Sequence, residues 1–117
     1  MGNTKYNIDR YDYSLELQPT DEGIRSKTFA TLSLFSDGRN VADINILNPG
    51  EKPERKYFAG HQLNIDIVYE KLEPTLDMLR HEKPLRLLVW HSGTHDNPTH
   101  IEARLDKGDL EQVGQSK

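Results

Sequence analysis

Residues 11–17 read Tyr-Asp-Tyr-Ser-Leu-Glu-Leu, in which apolar and polar side chains alternate without an error. Successive side chains of a β-strand point to opposite faces, so this period of two predicts a strand with one buried and one solvated face. On this interpretation Leu15 and Leu17 are largely buried, and the polar side chains between them face water. The proline, aspartate and glycine of residues 18–23 predict the turn that follows.

Two further strands are predicted next along the chain. Residues 25–35 place alanine and leucine side chains on one face, and Phe29 and Phe35 on the other. The Asp-Gly pair within residues 36–40 suits the positive φ angles of a two-residue hairpin, and residues 41–47 alternate again. These strands are expected to form an antiparallel meander with the first.

The second half of the chain predicts a loop, a strand and a helix. Residues 48–60 contain two prolines and two glycines and are predicted to be a long loop. Residues 63–69 fit a strand and also fit a helix, but proline is tolerated only in the first turn of a helix, which favours a strand followed by a helix over 73–82. A single long helix bent at Pro74 is the alternative. Three leucines at helical spacing are expected to face the core: Leu72, Leu76 and Leu79.

The most hydrophobic run, residues 85–90, is predicted to be a central strand, with residues 99–105 as its hairpin partner. The fold class expected from these elements is α+β: a mostly antiparallel sheet of five or six strands with one helix packed on one face. Residues 1–106 are expected to form a single domain, and residues 107–117 a flexible polar tail.

Composition restricts the function. The chain of 117 residues carries a net charge of −4, with 19 acidic and 15 basic residues, which argues against duplex nucleic acid as a partner. No apolar run is long enough to span a membrane, no secretory signal is recognisable at residues 1–6, and a cytoplasmic location is expected. The chain has no cysteine and no cofactor-binding fingerprint, so we expect a protein that is not an enzyme and has no cofactor.

A histidine-rich turn is the one place where side-chain chemistry is concentrated. Three of the 5 histidines fall within residues 91–100, together with a carboxylate. Imidazole and carboxylate groups bind first-row divalent metal ions, so a metal-binding protein or metal-dependent hydrolase is an alternative function. That site requires His91 and His100 on the same face of the hairpin. Its candidate ligands are His91, His95, Asp96 and His100.

Aromatic side chains suggest an interaction surface instead. Tyrosine and phenylalanine are favoured in strands and at protein interfaces, and one helix cannot cover both faces of the sheet. The function expected first is therefore a small interaction module that recognises a protein partner or forms a homodimer. A weaker alternative is single-stranded nucleic-acid binding through the basic and aromatic residues 52–61. The candidate interaction residues are Phe29, Phe35, Tyr57 and Phe58.

Overall fold

The computed structural model describes residues 2–17, 27–82 and 84–107, which form an α+β fold with one α-helix and eight strands. The elements, in chain order, are β1 (Gly2–Asn7), β2 (Arg10–Leu15), β3 (Thr28–Ser36), β4 (Arg39–Leu47), β5 (Lys56–Ala59), β6 (Gln62–Ile67), a short 3₁₀ turn (Tyr69–Lys71), α1 (Leu72–His81), β7 (Leu85–Gly93) and β8 (Pro98–Lys107). The expected fold class is confirmed. The turn predicted at residues 18–23 and residues 108–117 of the predicted tail lie outside the described residues.

The strands form two sheets, where the sequence predicted one. A three-stranded sheet has the order β1-β7-β8, and a five-stranded sheet has the order β2-β3-β4-β6-β5. All pairs are antiparallel except β4 with β6. The division arises at Ile8 and Asp9: the Ile8 amide donates to Leu85 of the smaller sheet, and the Asp9 amide donates to Phe35 of the larger one. The chain therefore changes sheet within two residues.

The meander predicted at the start of the chain is confirmed as β2-β3-β4. Its second connection is the predicted Asp-Gly turn, in which Asp37 and Gly38 both have positive φ, at 53° and 77°. This is the pattern of a type I′ turn, whose twist matches that of the two strands it joins.

Two strands, β5 and β1, were not predicted from the sequence. β5 lies inside residues 48–60, which were predicted to be a loop, and it pairs with β6 across a turn at Gly60 and His61. Four residues are too few for a period of two to stand out among charged neighbours. β1 is largely polar and exposed, and its pairing is provided by the hydrophobic strand β7.

The prediction of a strand followed by a helix is confirmed. β6 ends at Ile67, the 3₁₀ turn follows, and α1 begins at Leu72 with Pro74 in its first turn. The three leucines of α1 that were assigned to the core are all buried. No helix within the described ranges is long and apolar enough to cross a membrane.

The core lies where the inner faces of the two sheets meet α1. β3 contributes Leu32 and Leu34, which are fully buried, and β7 contributes Leu87 and Val89. The predicted burial of Leu15 and Leu17 is wrong, because their side chains are 47% and 80% exposed. Leu15 lies opposite the buried Ala30, so its face was predicted correctly. β2 is an edge strand, however, and the covering layer reaches Tyr11 at its start but not Leu15 at its end.

Candidate functional site

An aromatic and imidazole cluster forms where two hairpins from different sheets meet. Phe58 and His61 come from the β5–β6 hairpin, and His91 and His95 from the β7–β8 hairpin. The rings of Phe58 and His95 stack with their centroids 4.4 Å apart and their planes 19° apart. His61 and His91 lie 5.3 and 5.9 Å from His95, centroid to centroid. The cluster therefore joins the ends of the two sheets.

His95 is the central residue of this cluster. Its Nε2 lies 2.6 Å from the carbonyl oxygen of Gly60. A carbonyl oxygen only accepts, so this hydrogen bond requires the proton on Nε2. The loop that carries His95 is braced by Thr94, whose side-chain and backbone oxygens both accept from the Asn97 amide. The histidine turn thus docks on the neighbouring hairpin instead of standing free in solvent.

The histidines proposed as metal ligands do not converge. In the β7–β8 register His91 pairs with Ile101, and Ser92 pairs with His100. His91 and His100 therefore lie on opposite faces of the sheet, and the same-face arrangement that the proposed metal site required is not found. His100 instead contacts Glu102 at 3.1 Å on the solvated face, and Asp96 is exposed.

His91 lies at the end of the core face, in line with Val89. Its Nδ1 is buried and has no hydrogen-bond partner among the residues described, although its ring contacts Phe58 edge-on at 5.6 Å. Within residues 2–17, 27–82 and 84–107, no group of three or more histidine, aspartate or glutamate side chains is arranged to hold a metal ion. The arrangement supports ring packing between the hairpins.

The candidate interaction residues do not form one patch. Phe29 is half-buried against Tyr69, with the ring centroids 5.0 Å apart in an edge-on contact. Phe35 carries the Arg10 guanidinium over its ring at 4.0 Å, and Phe58 belongs to the histidine cluster. Tyr57, 45% exposed on the edge strand β5, is the member of the set most accessible to a partner.

The basic segment over residues 52–61 is partly engaged within the chain. Arg55 Nε donates to Asp66 at 3.1 Å, and the amides of Glu54 and Arg55 donate to the same carboxylate. Asn45 also donates to Asp66, whose side chain is 3% exposed. A buried carboxylate is costly unless hydrogen bonds satisfy it, and this set fixes the loop before β5 against the outer face of the sheet.

A different surface emerges along β2, which sequence reasoning had assigned to the core. Tyr13 and Leu15 lie on the core-facing side of β2, and Leu17 lies two residues beyond its end. The three side chains are 39%, 47% and 80% exposed. We refer to Tyr13, Leu15 and Leu17 as the β2 apolar row. The sequence signal for it was the perfect alternation itself, but alternation does not reveal that a strand is at an edge.

No protein-family model matches the chain, and no match to it was found among curated proteins or solved structures.

Proposed function

We propose that this protein is a non-enzymatic interaction module that recognises a second copy of itself through β2. The observation that supports this most directly is the β2 apolar row: three large apolar side chains exposed at alternate positions along an edge strand and just beyond its end. Contiguous apolar surface of this kind is typical of interaction sites.

The backbone of β2 supports the same proposal. β2 pairs with β3 on one side and is the outermost strand of its sheet among the described residues. An edge strand presents unpaired N–H and C=O groups, and addition of another strand satisfies them. Edge strands that avoid such pairing carry inward-pointing charges or bulges. The inward positions of β2 carry Tyr11, Tyr13 and Leu15 instead.

The apolar side chains select an antiparallel register centred on Tyr13. When Tyr13 lies opposite Tyr13 of the other copy, Tyr11 lies opposite Leu15 of that copy. Apolar side chains then face apolar ones on one side of the new ladder, and polar side chains face polar ones on the other. Directly opposite side chains in an antiparallel ladder share a face and contact each other. A pairing of this kind is also closed by a two-fold axis, as in most homodimers.

Charge supports the same register. With Tyr13 on the axis, Arg10 lies opposite Glu16 of the other copy, and Asp12 lies opposite Ser14. Symmetry gives two such Arg10–Glu16 pairs. The strand-like pairing extends far enough, because the Glu16 amide still donates to Phe29 at 3.0 Å. Opposite charges across a ladder stabilise it.

The neighbouring registers that keep the apolar faces together are less favourable. If one copy shifts by two residues in one direction, Asp12 lies opposite Glu16 of the other copy. A two-residue shift in the other direction places Asp12 opposite Asp12 of the other copy. Like charges directly opposite one another destabilise a ladder. Electrostatics therefore favours the Tyr13-centred pairing over these two alternatives.

A cysteine cross-link tests the register directly, since the natural chain has no cysteine. Opposite Cα atoms in an antiparallel ladder are about 4.5–5.5 Å apart, which suits a disulfide. We expect Tyr13→Cys to form a covalent dimer rapidly under mild oxidation. In Leu17→Cys the two thiols would be separated by roughly 26 Å along the ladder, at about 3.3 Å per residue.

The Leu17→Cys control is stringent because Leu17 is the more exposed of the two positions. Random collision would cross-link Leu17→Cys at least as fast as Tyr13→Cys. Equal rates for the two variants would refute the pairing.

Charge reversal provides a second, non-covalent test. Arg10→Glu and Glu16→Arg should each weaken the dimer in sedimentation equilibrium, because each places like charges opposite one another. The double variant Arg10→Glu/Glu16→Arg restores the attraction and should recover most of the affinity. Glu73→Arg, on the exposed side of α1, is the matched control and should leave the dissociation constant unchanged. A wild-type chain that sediments only as a monomer at about 100 micromolar, which corresponds to a dissociation free energy of roughly 5.5 kcal/mol, would contradict the proposal.

A further inference from the structure

An apolar cavity opens between the two sheets and one side of α1. Its volume is about 410 Å³, within the range of about 300–1,000 Å³ of small-molecule sites. The cavity is open to solvent on one side, so a small molecule can enter it.

The walls of the cavity are hydrocarbon. Ile44 and Ile65 line it from the five-stranded sheet, and Leu87, Ala103 and Leu105 line it from the three-stranded sheet. Ile65, Ala103 and Leu105 are only half-buried although they pack against the core. Water in contact with these side chains is unfavourable, and an apolar molecule that displaces it gains free energy.

The helix supplies the polar end of the cavity. Lys71, Thr75 and Met78 line it from one face of the helical segment, while the three buried leucines of α1 face the core from another. The Thr75 hydroxyl donates to the Lys71 carbonyl at 2.6 Å, so it is already engaged. The Lys71 ammonium, in contrast, makes no ion pair with any residue in the described part of the chain.

The other cation near the cavity, Arg104, belongs to the edge strand β8 and also lines it. Its guanidinium, however, lies 5.6 Å from the centre of the Trp90 ring, on the opposite face of the smaller sheet from Leu87 and Ala103. No aspartate or glutamate is among the described residues that line the cavity. The cavity thus combines an apolar interior with the Lys71 ammonium at its helical side.

We propose that this cavity binds a small amphiphile with an aliphatic body and an anionic head, the body between the sheets and the head at Lys71. A lysine stem packs along apolar surface while its ammonium stays in water, which is the placement that meets a carboxylate at the mouth of an apolar site. The site is separate from β2 and does not depend on the proposed dimer.

Calorimetric titration of the full chain with sodium octanoate, and separately with octan-1-ol, tests the two parts of the proposal. We expect one octanoate per chain, bound more tightly than the alcohol. Lys71→Gln should weaken octanoate binding by about threefold, the range of an exposed ion pair, and leave octan-1-ol binding unchanged. Lys52→Gln removes a lysine that does not line the cavity and should change neither.

Filling the cavity should abolish binding of both compounds. Ala103→Phe places a ring into it from β8, and Met78→Trp does so from α1, so that a second variant remains if the first does not fold. Circular dichroism and a thermal melt establish that each is folded. A folded Ala103→Phe or Met78→Trp variant that binds octanoate as the wild type does would overturn the site. Absence of saturable octanoate binding by the wild-type chain would also overturn the site. An equal loss of affinity for octanoate and octan-1-ol in Lys71→Gln would overturn the role assigned to the lysine charge.

Discussion

β2 and β3 are neighbours with the same alternating pattern and opposite environments. Leu32 of β3 is fully buried, whereas Tyr13, directly opposite it on β2, is 39% exposed. The side chains point to the same face of one sheet, and what differs is the layer above them. Alternation in a sequence specifies the face of a strand, and the coverage of that face depends on packing between distant elements.

The largest difference between the two strands should appear on truncation of the central one. Leu32→Ala removes a fully buried side chain and should lower the free energy of unfolding by about 2–5 kcal/mol through lost burial and the cavity left behind. Urea denaturation monitored by circular dichroism measures this. A loss below about 1 kcal/mol would mean that β3 is not the covered strand.

The carboxylates on the opposite face of the sheet give a second comparison of covered and uncovered positions. Asp66→Ala leaves the amides of Glu54 and Arg55 without their acceptor and should cost about 1–3 kcal/mol. Asp12 is 60% exposed and pairs with Arg10 at 3.8 Å, so Asp12→Ala should change the stability by less than about 0.5 kcal/mol. Similar denaturation midpoints for the two variants would contradict the assigned role of Asp66.

The histidine cluster tests how the ends of the two sheets are held together. His95→Ala removes the stacking on Phe58 and the bond to Gly60, and should cost roughly 1–2 kcal/mol. The matched control is His100→Ala, which loses only an exposed contact with Glu102 and should stay within about 0.5 kcal/mol of the wild type. Thermal melts of both variants at one pH measure the difference. Equal effects would indicate that the hairpins do not dock through His95.

Truncation of an apolar side chain is expected to affect folding least at the edge strand. Leu15→Ala should lower the stability of the monomer by less than about 1 kcal/mol, because Leu15 is 47% exposed. In sedimentation at higher concentration the same variant should weaken the proposed dimer, since Leu15 would lose its contact with Tyr11 of the other copy. A Leu15→Ala variant that is strongly destabilised as a monomer and still dimerises would contradict both the exposure of Leu15 and its role in the dimer.

Local signals in the sequence predicted the elements that local physics determines. The Asp37-Gly38 turn, the strand before Pro74 and the three core leucines of α1 follow from short-range rules on turns, proline and periodicity. The division into two sheets does not, because it depends on where Ile8 and Asp9 find partners, and those partners lie far along the chain.

The candidate sites also depend on contacts between residues far apart in the sequence, which the sequence did not predict. Phe58, His91 and His95 were each singled out, but for two different functions, since their meeting depends on the approach of two hairpins. The face on which His91 lies depends on the pairing register of β7 with β8, which shifts next to Gly93. The β2 apolar row was quoted from the sequence and assigned to the core, because an edge strand and a central strand have the same alternation.

The change of sheet at Ile8 and Asp9 also constrains the order in which the chain can fold. The β2-β3-β4 meander joins neighbours in sequence and can form early, whereas β1 pairs with β7, from Gly2 opposite His91 to Asn7 opposite Arg86. Pairing across most of the chain carries a large loop-closure entropy and slows folding. During synthesis β1 must therefore wait for β7, and the smaller sheet is completed only after α1 has left the ribosome.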